Sequence, residues 1–366
     1  MIDRRDLVKA SVGASLAVLV PWQVRAFGAF APSPGSWRHF EVTTRLEIAN
    51  AGGTTQAWIP VPSVSESEWF HSQGSSWTTN AKSATLVRDR KYNSELLHVE
   101  WAEEELAPVV EVVSRAATRD RAIDFTRPGT PLPLSPAETQ LYTEATEFIP
   151  VDGIVRETSE KVTAGTSSDL ERARAIYEWI IDNTYRNPNT RGCGVGDIAS
   201  MLKSGNLGGK CADLNALYVG LARAAGLPAR DIYGIRVAPS KFGYKSLGTN
   251  SDIITKSQHC RAEVYLFGFG WVPVDPADVR KVVLEEPPGK LPLDDLKVVD
   301  ARRTLFGAWE TNWLPYNMAC DLQLPGSSGP KLTFLMYPQA ETASTRLDAL
   351  DPESFVYRIF AKEITS

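Results

Sequence analysis

The sequence predicts an α+β fold in which an N-terminal β-sandwich domain precedes a helix-containing core. Segments of strand length follow one another from residue 37 to about residue 122, with little helical periodicity between them. A helical region covers residues 135–183. Further along, a helix that opens at Cys211 is followed by two strands. These three regions define the fold class, and each is justified below in chain order.

The first 26 residues are typical of an export signal. Arg4 and Arg5 precede a mildly apolar stretch, residues 10–20, that is too short and too rich in Ala, Gly and Ser to span a bilayer. A twin arginine before such a stretch indicates twin-arginine export. Cleavage after Ala26 is favoured over cleavage after Ala31, because Pro32 would follow the second cut. An amphipathic helix is the alternative. We expect residues 1–26 to be removed and the mature protein to be periplasmic or extracellular in a bacterium.

A β-sandwich domain is predicted for residues 36–126. Short segments with alternating apolar and polar residues are separated by turns, and this spacing favours a sandwich of antiparallel strands. The predicted strands cover residues 39–48, 55–61, 84–89, 96–101 and 109–116.

The helix-containing core domain is predicted for residues 135–284, after a proline-rich linker at residues 127–133. Residues 285–366 form an extension, with strands at 331–337 and 355–362, that is expected to pack on this core. With 366 residues, 43% of them hydrophobic, the chain is long enough for two domains and a sizeable core.

Composition excludes several classes of partner. The formal net charge is −5 and no basic patch indicates nucleic acid. Beyond the signal, no apolar run approaches membrane length, so stable membrane insertion is not expected. No metal-ligand spacing or cofactor motif is present. If Cys211 is free, an exported protein could form one disulfide among Cys193, Cys260 and Cys320, which would leave one further thiol; the sequence does not fix the pairing. Oligomeric state has no signal in the sequence.

Cys211 is predicted to begin a helix that has one buried stripe. It follows a glycine turn at residues 208–209, and apolar residues recur at spacings of three and four through residues 214–225 before Gly226 ends the pattern. Unpaired N–H groups and the macrodipole of a first helical turn lower the pKa of a thiol. Cys211 is therefore a candidate nucleophile, and a buried structural cysteine is the alternative.

The next two strands carry a histidine and a carboxylate. If residues 266–268 form a three-residue hairpin loop with Gly268 left-handed, His259 falls directly opposite Asp275, close enough for a hydrogen bond. A thiol, an imidazole and a carboxylate are the components of a cysteine nucleophile with its base and orienting group. A strand-edge histidine and a turn-forming aspartate are the alternatives. Glu263, on the face of His259, is a weaker candidate for a supporting role or a solvated strand residue.

Three segments resemble the core of transglutaminase-like proteins. They are the helix region at residues 209–230, the strand at 259–265 and the strand at 270–276, within a matched region of about residues 172–277. The resemblance implies a papain-like fold with a Cys-His-Asp triad at Cys211, His259 and Asp275. One departure is Arg261, where many members of the family have an aromatic residue.

Two classes of function follow. The first is a cysteine-dependent enzyme that takes an acyl group from an amide of a peptide or protein, forms a thioester on Cys211 and passes it to water or an amine. Hydrolysis is favoured narrowly over amine transfer, because water needs no binding site. The second is a non-catalytic binding or assembly module on the same scaffold. Four aromatic residues are candidates for an acceptor groove or for the core: Trp179, Tyr185, Tyr265 and Trp271.

Overall fold

A computed structural model describes residues 29–365, apart from residues 50, 52, 344 and 352–354. The predicted export signal lies outside these described residues. Within them, no helix combines the length and the apolar character that a membrane crossing requires.

The N-terminal region is built from strands. Their bounds are β1 (Arg38–Glu47), β2 (Thr55–Pro60), β3 (Phe70–Thr79), β4 (Ser83–Arg88), β5 (Glu95–Trp101), β6 (Val109–Thr118) and β7 (Arg121–Ala122). Alternation explains the predicted strands: in β1, Phe40, Val42 and Leu46 are buried between more exposed polar residues. The strand β3 was missed because most of its residues are polar and exposed, so it lacks an apolar period.

Helices dominate the middle of the chain. The elements are α1 (Pro136–Thr143), α2 (Gly153–Val162), α3 (Asp169–Asn183), β8 (Tyr185–Arg186), α4 (Ile198–Ser204), β9 (Gly208–Gly209), α5 (Cys211–Ala224), β10 (Ala229–Arg236), β11 (Gln258–Leu266) and β12 (Gly270–Val274), with a 3₁₀ turn at Lys245–Leu247. The linker predicted at residues 127–133 contains no regular element. The first helix after it begins at a capping box between Ser135 and Glu138.

The C-terminal third returns to strands after two helices. The elements are α6 (Pro276–Glu285), α7 (Leu296–Thr304), β13 (Ala308–Trp309), β14 (Trp313–Asn317), β15 (Cys320–Leu322), β16 (Leu332–Phe334), β17 (Gln339–Thr342), β18 (Thr345–Arg346) and β19 (Val356–Ile364).

Two sheets form the sandwich, with strand orders β19-β1-β6-β3 and β18-β17-β2-β5-β4. Apolar residues of both sheets share one core that includes Leu46, Ile59, Leu97 and Val112. The α+β class and the N-terminal sandwich are confirmed. The C-terminal region supplies β17, β18 and β19 to these sheets, while its residues Met336 and Tyr337 pack near Cys211. The extension thus contacts both halves of the molecule, and the domain limits stay a prediction.

The central sheet, with the order β12-β11-β10-β14, supports α5. Every residue of α5 from Cys211 to Arg223 is buried, so the helix is enclosed on all sides and does not present the single buried stripe that its spacing indicated. Its first residue and the start of β11 thereby occupy fixed positions beside each other.

Candidate active site

Cys211 is the first residue of α5 and is 3% exposed. The strand β9 brings the chain to it by pairing in parallel with β8. A Cβ on Gly209 would lie 2.5 Å from the side chain of Asp213, so only glycine fits this approach. The predicted helix start is therefore correct, and the glycine turn is a packing requirement.

Asp213 holds the neighbouring loop against the helix start. Its carboxylate accepts backbone N–H bonds from Val195, Gly196 and Lys210, each at 2.9 Å. The backbone N–H of Ala212 in turn donates to the carbonyl of Cys193 at 2.9 Å. These bonds place the Cys193 thiol next to that of Cys211.

The predicted hairpin register is wrong. Leu266 pairs with Gly270 and Ala262 with Val274, so the loop is residues 267–269 and the register is shifted by two residues. Both Gly268 and Gly270 have a positive φ, and the sequence does not show which of them closes the loop. Asp275 therefore lies beyond the paired strand and does not face His259 directly across the ladder.

Asp275 nevertheless reaches His259 from the end of the strand. It is the N-cap of α6, and its Oδ2 lies 2.8 Å from Nε2 of His259. The imidazole also interacts with the Cys211 thiol, and both groups line the same cavity. Because Nε2 faces Asp275, the other ring nitrogen, Nδ1, is left for the thiol. The structure thus brings Cys211, His259 and Asp275 together in one connected chain.

The electrostatics favour a thiolate–imidazolium pair. Hydrogen bonds from the Cys193 and Cys260 thiols and from His259 hold the pKa of Cys211 well below its usual range, against the effect of burial. Burial lowers the pKa of His259, but the charges of Asp278 and Asp275 outweigh it and raise that pKa to about 9. These two shifts favour an ionised Cys211 thiol beside a protonated His259 imidazole.

A second carboxylate was missed by the sequence analysis. Asp278 lies one helical turn after Asp275, and its Oδ1 is 3.4 Å from Nε2 of His259. Arg236 pairs with Asp278 at 2.6 Å and holds the pKa of that carboxyl well below its usual range, despite burial. The only available sequence signal was the i, i+3 spacing from Asp275.

Arg261, at which the sequence departs from the family pattern, places a positive charge beside Asp275. Its guanidinium lies over the rings of Trp309 and Trp313, at 5.3 and 4.9 Å from their centroids, and its Nε is 3.5 Å from Oδ2 of Asp275. Burial lowers the pKa of Arg261 to about 10, which still leaves it charged at neutral pH.

The group His259, Asp275 and Asp278 has the composition of a metal site, with ligand atoms within 4.8 Å of one another. Guanidinium groups of Arg236 and Arg261 already lie against its two carboxylates. A cation at this position would meet two fixed positive charges, so we interpret the group as an ion-pair network.

Two further residues orient the triad. Asn215, one turn after Cys211 in α5, donates its amide N–H to the carbonyl of Cys260 at 2.8 Å and to Oδ1 of Asp275 at 3.3 Å. Trp313 donates its indole N–H to the carbonyl of His259 at 2.8 Å. The i, i+4 spacing from Cys211 was a possible signal for Asn215, whereas nothing local marks Trp313.

The disulfide that the sequence allowed among Cys193, Cys260 and Cys320 is not formed, and all four cysteines are free. Cys193 and Cys260 both direct their thiols at Cys211, and Cys193 also contacts the carbonyl of Gln258 at 3.4 Å. The Cys320 sulfur instead contacts the hydroxyl of Tyr233 at 3.4 Å. Cys193 and Cys260 thus interact with Cys211, and Cys320 interacts with Tyr233, rather than any two of Cys193, Cys260 and Cys320 with each other.

Glu263 is neither solvated nor part of the site. It is fully buried and forms ion pairs with Arg121 and, at 2.6 Å, with Arg230. Arg230 also pairs with Glu66, which precedes β3. Glu263 therefore joins the sandwich to the core and does not support His259.

A cavity of about 520 Å³ opens over the thiol. Cys193, Cys211 and His259 line it on one side. None of the four aromatic residues considered for an acceptor groove lines it, and the apolar wall comes from the C-terminal region: Tyr337, Leu350, Phe355 and Tyr357. The sequence analysis did not anticipate this contribution, because it placed these residues in an extension that packs on the core and gave them no role at the site.

A buried thiol, imidazole and carboxylate at a helix–hairpin junction define the papain-like class of cysteine-dependent proteins. Residues 156–276 match the family model of the transglutaminase-like superfamily. An uncharacterised protein of Haemophilus influenzae is 35% identical over 330 residues, which cover 85% of this chain and 87% of that protein. The solved structure of a candidate cysteine protease from Cytophaga hutchinsonii has a TM-score of 0.56 at 13% identity, covering 92% of this chain and 94% of the other, and so shares the fold. The chain belongs to the transglutaminase-like superfamily, and this membership supports a cysteine-dependent enzyme.

Proposed function

We propose that the protein hydrolyses amide bonds of peptide-like substrates through a thioester on Cys211. The observation that carries the proposal is the chain of contacts from Cys211 through His259 to Asp275, placed at an open cavity. A buried thiol with an imidazolium partner and a positioned carboxylate is arranged as a nucleophile requires.

The residues act in the following order. The Cys211 thiolate attacks the amide carbon, and the oxyanion is stabilised by the Cys211 backbone N–H, which the helix itself leaves unpaired in its first turn. His259 then gives its Nδ1 proton to the leaving amine, and the thioester remains. Neutral His259 next removes a proton from water, which attacks the thioester carbon and releases a carboxylic acid and the thiolate. Asp275 holds the imidazole in the required orientation throughout.

The charge of the cavity favours water over an amine as the acyl acceptor. Lys210, Lys281 and Arg236 are among its lining residues. A protonated primary amine would be repelled by these cations, whereas water is not. Hydrolysis is therefore the proposed outcome of the second step.

The test is an incubation of the mature protein with a defined peptide library, with and without a primary-amine probe, followed by mass spectrometry. Hydrolysed products that disappear in Cys211→Ala support the proposal. Amine adducts in excess of hydrolysed products would reverse the choice of acceptor. If neither product forms, the scaffold function is supported instead.

We also propose that the chain is exported by the twin-arginine route, on the basis of Arg4 and Arg5. Replacing both by lysine should leave full-length precursor in the cytoplasm, measured by fractionation and blotting. Normal export of this variant would contradict the twin-arginine route.

A further inference from the structure

The wall of the cavity over Cys211 is cationic. Six of its lining residues are lysine or arginine, and no aspartate or glutamate lines it among the residues that the structure describes. The six are Arg186, Arg191, Lys210, Arg236, Lys256 and Lys281.

Three of these cations are arginines that are paired with carboxylates outside the lining. Arg191 pairs with Asp348 at 2.6 Å, Arg236 pairs with Asp278 at 2.6 Å and Arg186 pairs with Glu285. These pairs fix the guanidinium groups in place and still leave them facing the cavity.

The three lysines add charge that is not balanced. Lys210 and Lys256 form no ion pair within the described part of the chain. Lys281 lies 3.7 Å from Glu285, but the same carboxylate also pairs with Arg186. Burial and the nearby charge of Arg236 lower the pKa of Lys281 to about 8, as a positive surrounding should. Within the described residues, only three carboxylates, those of Asp278, Glu285 and Asp348, therefore pair with any of the six lysines and arginines that line the cavity.

We propose that this cavity binds a carboxylate of an acidic peptide beside the amide that Cys211 attacks. The inference rests on the proposed function for the identity of the substrate as a peptide. Cations that line a cleft attract an anion more strongly than the same charges on a flat surface, because the low-dielectric walls of the cleft concentrate their field. The apolar wall formed by Tyr337, Phe355 and Tyr357 fits the hydrocarbon part of the same substrate.

A carboxylate in a peptide is either an acidic side chain or the free C-terminus. The experiment therefore uses four acetylated pentapeptide pools that have Glu or Gln at the centre, each with a free or an amidated C-terminus. Dissociation constants are measured by calorimetry with Cys211→Ala, which binds without turnover. We expect at least one carboxylate to improve binding about tenfold over the Gln amide pool at low salt, with the gain declining as salt is added. The arm that shows the gain identifies the source of the carboxylate.

Lys256 offers a matched pair of variants, since it is exposed at the cavity while Lys161, at the end of α2, is exposed away from it. In the Cys211→Ala background, Lys256→Met should reduce the preference for the carboxylate about 2- to 5-fold, as expected for one partly solvated charge. Lys161→Met should leave the preference unchanged. Equal reductions in both variants would show a general effect of net charge and would overturn the assignment to the cavity.

Binding and turnover separate this inference from the proposed function. If wild-type protein cleaves the Gln amide pool as well as the Glu pools, and all four pools bind equally, the anion site is wrong while hydrolysis stands. If the carboxylate pools bind preferentially but are not cleaved, the site stands and hydrolysis is contradicted. Absence of any binding at millimolar peptide overturns the anion site.

Discussion

The ionisation of Cys211 depends on its sulfur neighbours as well as on its histidine. The Cys193 thiol is the largest influence that lowers the pKa of Cys211, ahead of Cys260. Cys193→Ala removes one donor to the thiolate and should therefore raise the pKa of Cys211. We expect iodoacetamide to label the variant several-fold more slowly than wild type at mildly acidic pH, with rates that converge at alkaline pH. The measurement is the labelling rate of Cys211 as a function of pH, followed by mass spectrometry.

Cys320→Ala is the control for this experiment, because Cys320 is also buried but contacts Tyr233 rather than Cys211. Its profile should match that of wild type. An unchanged profile in Cys193→Ala would show that Cys260, His259 and the helix terminus lower the pKa of Cys211 without help from Cys193.

In the proposed mechanism, the protonation of His259 sets the alkaline limit of activity. Because its pKa is raised to about 9 and that of Cys211 is lowered, the reactive ion pair exists between the two values. It is lost as pH rises through the pKa of His259 and as pH falls through that of Cys211. Asp278→Asn removes an ionised carboxylate near the ring, so the alkaline limit of kcat/KM should move to lower pH. Asp182→Asn, at the exposed end of α3, should leave the limit in place.

Circular dichroism shows whether Asp278→Asn is folded, since the substitution also removes the partner of Arg236. A folded variant with an unshifted alkaline limit would assign the raised pKa of His259 to Asp275 alone.

At the scale of elements, Asp213 joins the loop that carries Cys193 to the start of α5. Its carboxylate is buried and accepts three backbone N–H bonds. Asp213→Ala leaves those donors unpaired, so we expect a loss of about 1–3 kcal/mol in the free energy of unfolding. Chemical denaturation measures the loss. Because the thiol of Cys193 moves with its loop, activity should fall even at temperatures where the variant is fully folded.

Asp197→Ala is a matched control, because Asp197 caps α4 by accepting from the backbone N–H of Ser200 at 3.0 Å. It should cost about 1 kcal/mol, typical of a lost N-cap, without affecting the thiol. Equal losses of activity in both variants would contradict a specific role for Asp213.

Local motifs predicted the helix start at Cys211 and the strand of His259, because glycine turns and apolar periods are short-range signals. The hairpin register was not predictable, since Gly268 and Gly270 both adopt positive φ. Whichever of the two closes the loop determines every residue pair between β11 and β12. The sequence analysis also missed Asp278 and Arg236. Their partnership spans 42 residues, and a charged residue on a helix or strand normally indicates a solvent-facing position.

At the scale of the whole molecule, the C-terminal region closes the sandwich and the cavity together. The strand β19 pairs with β1, and β17 pairs with β2, across nearly the full length of the chain. Residues from the same region line the cavity, among them Tyr337 and Phe355. The sequence predicted strands at 331–337 and 355–362, but strand propensity carries no information about a partner some 300 residues away.

Glu263 connects the two halves of the molecule through charge. It is fully buried between Arg121, which lies in the strand after the sandwich, and Arg230 of the central sheet. Burial raises the pKa of Glu263, but the two guanidinium groups outweigh it and hold that pKa below its usual range. The contribution of this carboxylate to stability is therefore present at neutral pH and is lost as pH falls through its lowered pKa.

Glu263→Gln keeps the shape of the side chain and removes its charge, which leaves two buried guanidinium groups short of a partner. We expect a loss of about 3–5 kcal/mol in the free energy of unfolding at neutral pH, measured by urea denaturation, because an unpaired buried charge is costly. The difference from wild type should shrink under acidic conditions. Glu41→Gln, which removes a surface partner of Arg115, should leave the denaturation midpoint close to that of wild type. Because Glu263 does not contact the triad, the folded variant should keep its kcat, and a fall in kcat without a loss of stability would place Glu263 in the catalytic machinery instead.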